Sequence, residues 1–314
     1  MTTVEGSNKY RVIGTRPMRH DAVDKVTGAA KYGVDFSAPG MLHGKILRSP
    51  HAHAKIISID VSKAVNHPVV SAVITSSDFP THQDKSVTEI PGPPINLKQQ
   101  TDNILAGDKV MYKGHPVAAV AAISVHAAEE ALKLIDVRYE VLDSVSNVDS
   151  ALKDDAPQMH ASYKNNTAGH TKLEIGNVES GFRDSDIVIE REFRTATVHQ
   201  GYIEPHSATG WWTPNNKVTI WGSSQGHFQI RDRTSLVLGI PYSDIKVVPM
   251  EIGGGFGGKT TIYLEPISAM LSKQSGAPVR VTMTRSEVLE ASGPTSGCYM
   301  RVKMGATNDG HLIA

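Results

Sequence analysis

The stretch EIGGGFGGKT, Glu251 to Thr260, packs five glycines into six residues, Gly253 to Gly258 around Phe256. The run before it, Asp244 to Ile252, is rich in β-branched residues and reads as a strand. The run after it, Lys259 to Ser275, reads as a helix that Gly276 and Pro278 stop. Five glycines at a strand-to-helix junction let backbone come close to another group. The N–H groups of the helix start would then face it, which suits a phosphate or pyrophosphate. The same letters satisfy two known patterns. Gly253, Gly258, Lys259 and Thr260 fit a P-loop, and Gly253, Gly255 and Gly258 fit a dinucleotide fingerprint. Close upstream, Gly222, Ser224 and Gly226 fit the nucleophile elbow of serine hydrolases, with Asp309 and His311 following in the right chain order.

Context weighs against each of these three. A P-loop domain needs a later strand that ends in a magnesium-binding Asp, whereas Val279 to Thr284 ends in Thr284-Arg285-Ser286. A dinucleotide domain needs more parallel strands than the remaining sequence holds. For the elbow, Asp309 and His311 flank an expected hairpin turn, and no strand–helix array precedes Ser224.

Working outward, Lys45–Leu47, Lys55–Ile59 and Val69–Thr75 are strand candidates, and Thr81–Gln100, with its PGPP stretch, reads as loop. PVAAVAAI (Pro116 to Ile123) has the small apolar composition of a buried strand. Ser124 can cap a helix carrying Ala127, Ala128, Ala131, Leu132 and Ile135 at helical spacing. Val137–Leu142 returns to strand. Residues 144–172 are polar and aperiodic, as a linker would be. Beyond them, Asp186–Phe193, Lys217–Trp221 and Val279–Thr284 read as strands and Phe228–Leu238 as a helix. Met300–Met304 and His311–Ala314 read as a hairpin around Asn308-Asp309-Gly310. No internal repeat is present. The expected organisation is a lead-in over 1–20, an α+β domain over 21–143, a linker over 144–172 and a second α+β domain over 173–314, whose last strand would be cut at Ala314.

Composition narrows the function. Among 314 residues, 32 Lys and Arg balance 32 Asp and Glu, so no global basic field exists to hold nucleic acid or an anionic membrane. Apolar residues at 39% can build real cores. The single cysteine, Cys298, leaves no internal disulfide, cysteine-built zinc site or four-cysteine iron–sulfur cluster. No run of ~18 apolar residues is present to span a bilayer, and the polar start lacks the apolar core of a secretory signal. The expected location is cytoplasmic.

VTGAAKYGVDF (Val26 to Phe36), LRSPHAHAKI (Leu47 to Ile56), GHPVAAVAA (Gly114 to Ala122) and EIGGGFGGK (Glu251 to Lys259) together resemble the molybdenum-binding large subunits of the xanthine dehydrogenase and aldehyde oxidase family. AAEEALKLIDVRYE, GNVESGF and RVKMGATNDG add to the match, which runs from about Arg19 to Ala314. The resemblance implies an N-terminal α/β hammerhead domain followed by the first part of a molybdopterin-binding domain. It implies a molybdenum ion held by the dithiolene of a pterin, carried as the cytosine dinucleotide in a bacterial member, and therefore no protein thiolate. It implies oxidation or hydroxylation of an aldehyde or an electron-poor heterocyclic carbon, with oxygen from water. Electrons would leave to an iron–sulfur small subunit and a FAD-binding medium subunit.

Position by position, the resemblance makes Gln225 the glutamine whose amide meets the oxygen ligand of molybdenum. It makes Gly254, Gly255, Phe256, Gly257 and Gly258 the loop against the metal centre. Thr260 stands where the purine hydroxylases carry a substrate-orienting glutamate, so purine is disfavoured. The general-base glutamate is expected beyond Ala314, within a C-terminal portion that would complete the site. The chain by itself is then expected to be an inactive fragment or an assembly module, binding neither ATP nor NAD.

Other conspicuous residues have plainer readings. His51 and His53 belong to the hammerhead's signature strand rather than to a metal. His199, Glu204 and His206 fit no zinc spacing, and Glu204 reads as a hydrogen-bonded structural carboxylate. Trp211, Trp212 and Trp221 read as core or interface aromatics, Cys298 as inert, and Lys259 and Arg285 as helix-start or surface charges.

Overall fold

A computed structural model describes residues 10–87 and 95–314. In chain order these form α1 (Ala22–Thr27), β1 (Leu42–Arg48), β2 (Ala54–Asp60), α2 (Ser62–Val65), β3 (Val70–Thr75), β4 (Ser86–Val87), β5 (Ile95–Asn96), α3 (Leu97–Ile104), β6 (Lys109–Val110), β7 (Pro116–Ala122), α4 (Val125–Leu132) and β8 (Asp136–Val141). There follow α5 (Val148–Ala151), α6 (Val178–Arg183), β9 (Ile187–Arg194), β10 (Ser207–Trp212), β11 (Val218–Gly222), α7 (His227–Leu238), β12 (Ile245–Pro249), α8 (Glu265–Ser275), β13 (Val279–Thr282), α9 (Arg285–Ala291) and β14 (Tyr299–Ala306). No described helix is long and apolar enough to cross a membrane.

The organising layer is a seven-stranded sheet in the order β12-β11-β10-β13-β1-β7-β3. Strands of both sequence halves share it: β1 runs parallel to β13, with Leu42 opposite Val279. The boundaries at 143 and 173 therefore divide the sequence while the sheet crosses them. None of residues 144–172 is buried.

β7 shows why this sheet forms where it does. All seven of its residues are buried, and successive side chains point to opposite faces. Ala118, Val120 and Ala122 meet Ala128 and Ala131 of α4 on one face. Ala119 and Ala121 join the larger core on the other, with Ile267 and Leu271 of α8. Alanines on both faces let two helices approach one strand closely. The Ser124 hydroxyl accepts from the Ala127 N–H at 3.1 Å and starts α4 where the sequence places it. Gly239 and Gly276, at φ 64° and 68°, end α7 and α8.

Several elements differ from expectation, each for a local reason. Part of the stretch read as loop, Thr81–Gln100, holds α3, because the Asn96 side chain caps it by accepting from the Gln99 N–H at 3.1 Å; its PGPP segment lies outside the described residues. Thr284 does not continue a strand. It caps α9 in a reciprocal box with Glu287, the Thr-x-x-Glu signal in the sequence. The turn at Asn308-Asp309-Gly310 forms, but β14 pairs with β9 from Tyr299↔Arg194 to Ala306↔Ile187, while Leu312 makes only an isolated bridge to Ala306. Eight registered pairs to a distant strand outweigh the short local return.

β10 lies directly under α8. A Cβ on Gly210 would meet the Ala269 nitrogen at 2.6 Å and the Ser268 carbonyl carbon at 2.7 Å. Gly210→Ala is expected to cost about 1–3 kcal/mol in urea unfolding, since helix and sheet must part. Gly169→Ala, with nothing within 4 Å, should change stability by no more than about 0.5 kcal/mol. Equal effects at the two positions would rule out the close approach as the cause.

Candidate functional site

The glycine run forms a tight loop after β12, but the helix behind it begins only at Glu265. Lys259–Leu264 are irregular, and the Glu265 carboxylate accepts from the Tyr263 and Leu264 N–H groups at 2.9 and 3.1 Å. No helix N-terminus therefore backs the loop, and the P-loop and dinucleotide geometries do not form. The elbow fails as well. The Ser224 hydroxyl donates to the Lys259 carbonyl at 3.2 Å, whereas Asp309 and His311 pair with each other on an exposed turn.

The loop is held from below by a buried ion pair. Glu204 Oε2 accepts from Lys259 Nζ and from the Gly253 N–H, both at 2.7 Å. The Glu204 N–H donates in return to the Gly253 carbonyl at 3.2 Å. Lys259 Nζ also reaches Ser223 Oγ at 3.3 Å and lies 5.1 Å from the centre of the Tyr202 ring. Lys259 is only 1% exposed, so its reading as a helix-start or surface charge is corrected. Its ammonium is the fixed point of the loop. Burial pushes it below its ordinary pKa, and Glu204 pulls it back up. Glu204 is held through Oε2 alone, and its Oε1 is buried without a partner.

From above, Gln225 closes the loop. Its Oε1 accepts from the Gly257 N–H at 2.9 Å and from the Lys259 N–H at 3.2 Å, and its own N–H donates to the Lys259 carbonyl at 2.9 Å. With Oε1 so engaged and Gln225 exposed, the side-chain NH₂ remains free among the described residues as a two-proton donor. The contact is tight, for a Cβ at Gly255 would meet Gln225 Oε1 at 2.5 Å. Gly254 and Gly257 take φ of 96° and 91°, which only glycine adopts freely. Phe256 takes φ 49°, and its ring is 73% exposed. Among the described residues nothing accepts from the N–H of Gly254, Gly255 or Phe256. Thr260 is exposed and donates to the Gly257 carbonyl at 2.9 Å.

The remaining candidates lie around this centre or away from it. His206 is buried and shares a 2.7 Å hydrogen bond with the Tyr202 hydroxyl, which contacts Ser292 Oγ at 2.8 Å. His199 reaches the same Ser292 at 2.9 Å. Burial, and next the Lys259 ammonium, push His206 down to about 3. Arg285 donates to the Tyr202 carbonyl at 2.9 Å and also to that of Ile203. His53 Nδ1 sits 2.6 Å from the Asp143 carbonyl, and His51 lies edge-on to Tyr139. Among the described residues no cluster of His, Cys, Asp or Glu could hold a bare metal ion. Trp212 is buried, Trp211 half-exposed, and Trp221 stacks on Phe36 at 4.2 Å. Cys298 is exposed. The burial of Lys259 is the main feature that sequence reasoning misses. Its one signal is Glu204, the nearby carboxylate in an otherwise uncharged stretch.

Two family patterns match this chain. The aldehyde oxidase and xanthine dehydrogenase a/b hammerhead domain covers residues 27–143, and the molybdopterin cofactor-binding domain covers 159–314. The chain is 31% identical over 305 residues to the nicotinate dehydrogenase large molybdopterin subunit of Eubacterium barkeri, covering 97% of this chain and 69% of the relative. It is 33% identical over 297 residues to a probable xanthine dehydrogenase subunit of Bacillus subtilis, covering 95% of this chain but 38% of that protein. The fold superposes on quinoline 2-oxidoreductase from Pseudomonas putida 86 with a TM-score of 0.83 at 27% identity, over 95% of this chain and 38% of that one.

Two outcomes are expected from the clamp. Lys259→Met leaves a buried carboxylate uncompensated and should cost about 3–5 kcal/mol in denaturant unfolding. Combined with Glu204→Gln, the loss should fall short of the sum of the single effects by at least about 1 kcal/mol; additive losses would show that the two side chains are not coupled. The second outcome concerns pH. His206 and His115, pushed down to about 3 and about 4 from 6.5, stay neutral in the fold while the unfolded chain takes up protons. Their contribution is full above pH 6.5 and is lost as pH falls through those folded values, at about 1.4 kcal/mol per pH unit for each group. His206→Gln should flatten the stability profile between about pH 6 and 4 by roughly that slope. An unchanged slope would mean that His206 is protonated in the native state.

Proposed function

The chain belongs to the family of molybdenum-binding xanthine dehydrogenase and aldehyde oxidase subunits, and from that premise we propose that its glycine loop and Gln225 form one wall of a molybdenum–pterin site. The observation that carries this reading is the anchoring of Gln225 Oε1 by the Gly257 and Lys259 N–H groups, which leaves the amide NH₂ as the free donor at the loop. The residues suit the group. An NH₂ donor and the N–H groups of Gly254, Gly255 and Phe256 are available to an anionic centre, and a pterin dithiolene brings its own sulfur ligands.

When bound, the centre would supply two-electron oxidation at carbon with water as the oxygen source. The chain's part is positioning. Gln225 would donate its amide NH₂ to the anionic centre, and the loop backbone would present the N–H groups of Gly254, Gly255 and Phe256 to it. Glu204 Oε2 is engaged by Gly253 and Lys259, and the proton-abstracting glutamate is proposed to lie in the remaining cofactor-binding sequence. Thr260 offers a hydroxyl already directed to the Gly257 carbonyl. It brings no carboxylate to the substrate side, which favours an aldehyde or a simple electron-poor heterocycle over a purine. The nicotinate and quinoline named for two relatives fall in the heterocycle class. Turnover is proposed for an assembly that includes the remaining cofactor-binding sequence, an iron–sulfur chain and a FAD chain. The cytosine dinucleotide is the proposed pterin form.

The test is to isolate the protein with those partners, measure its molybdenum, and follow oxidation of an aldehyde and an N-heterocycle with a dye acceptor. Molybdenum should be present, and Gln225→Ala should slow turnover by about 100-fold. A molybdenum-free wild-type assembly, or a Gln225→Ala assembly that turns over at the wild-type rate, would sink the assignment.

A further inference from the structure

We infer that Tyr202 is a positioning residue for the glycine loop: its ring is the floor on which the loop rests, and its hydroxyl ties that floor to α9. The functional part of this inference rests on the reading of the loop as a cofactor wall. Tyr202 is 1% exposed and lies in the stretch 199–206, whose two histidines the proposed site leaves unused.

Two glycines and a lysine make the contact with the ring. A Cβ on Gly258 would meet Tyr202 Cε1 at 2.6 Å, and one on Gly254 would meet Tyr202 Cβ at 3.1 Å. Lys259 Nζ lies 5.1 Å from the ring centre. The loop backbone therefore lies against Tyr202 near both ends of the glycine run, with no slack between them. A ring that shifts toward the loop must displace Gly258. That residue stands between Gly257 and Lys259, whose N–H groups anchor Gln225 Oε1.

The hydroxyl in turn fixes the ring, and its partners assign the protons. His199 Nδ1 accepts from the Gly201 N–H at 3.0 Å, so the imidazole carries its proton on Nε2 and donates it to Ser292 Oγ at 2.9 Å. Ser292 gives its own proton to the Val288 carbonyl at 2.6 Å. The Tyr202 hydroxyl is then the donor to Ser292 Oγ at 2.8 Å, and its oxygen accepts from His206 Nε2 at 2.7 Å. Every one of these bonds is made with both histidines neutral.

Ser292 is the C-cap of α9 and is 3% exposed. Arg285, the first residue of α9, donates to the Tyr202 carbonyl at 2.9 Å. Both ends of α9 thus hold the same tyrosine, one by its backbone and one by its hydroxyl. Without the hydroxyl, Ser292 and His206 each lose a buried partner and the ring is held by packing alone. The geometry of Gln225 is in this way passed through the loop and the ring to a helix that does not touch Gln225.

The deciding test uses the 314-residue chain without cofactor, so its failure leaves the molybdenum reading untouched. In Tyr202→Phe, amide hydrogen exchange at Gly257 and Lys259 should quicken at least about tenfold. Tyr263→Phe removes another tyrosine hydroxyl, one that accepts from the Gly293 N–H at 2.8 Å, and should leave those two amides unchanged. Thermal melts report folding. Ser292→Ala breaks the same contact from the α9 side; it should reproduce the Tyr202→Phe result, and it decides if that variant does not fold. Unchanged loop amides, a rise confined to Val218 and Ile220 in β11, or the same loop rise in Tyr263→Phe would each overturn the proposal. In the assembled enzyme proposed above, Tyr202→Phe should lower kcat about fivefold at unchanged KM, since Gln225 acts on the cofactor and not on the substrate. A raised KM at unchanged kcat would overturn the positioning role.

Discussion

The buried pair of Lys259 and Glu204 is the constraint on which the loop geometry rests. A lone ammonium this deep would be driven toward its neutral form, and a lone carboxylate would demand donors. Together they neutralise each other, and Glu204 Oε2 also takes the N–H that opens the glycine run, while Oε1 stays buried without a partner. The lysine backbone, at the far end of the run, meets Gln225 through both its N–H and its carbonyl. One salt bridge thus fixes the two ends of a loop that five glycines would otherwise leave free. The positive φ of Phe256 persists because those ends cannot relax.

The second constraint is the shared sheet. The hammerhead portion contributes β1, β3 and β7, and the cofactor-binding portion contributes β10 to β13. α8 packs on strands from both. It follows the loop by only a few residues and carries Glu265, which braces the segment between them. The loop is therefore mounted on the larger core, whose apolar side chains each contribute on the order of 1.5–3 kcal/mol when buried.

Much of this was legible in the residues. The alanine-rich β7, the Ser124 cap and the glycine stops of α7 and α8 are local signals, and local physics decides them. The closeness of Gln225 to the glycine run was legible only through family resemblance, because 28 residues separate Gln225 from Gly253 and nothing in their composition says that they touch. What escaped the sequence was non-local. The choice of β9 as partner for β14 and the burial of Lys259 both depend on which distant surfaces meet. A lysine after a glycine run looks like a helix-start charge until the carboxylate beneath it is known.

The pairing of Leu42 with Val279 also sets an order of assembly. β1 can find β7 early, but its other edge stays open until a strand about 240 residues further along has been made, which at ribosomal speeds is on the order of 10–50 s. Throughout that interval the hammerhead portion exposes one unpaired strand edge and the apolar face that α8 will cover. Such edges recruit other chains. The nascent protein thus carries a built-in window of vulnerability, and its folding yield depends on how well that edge is shielded before β13 arrives.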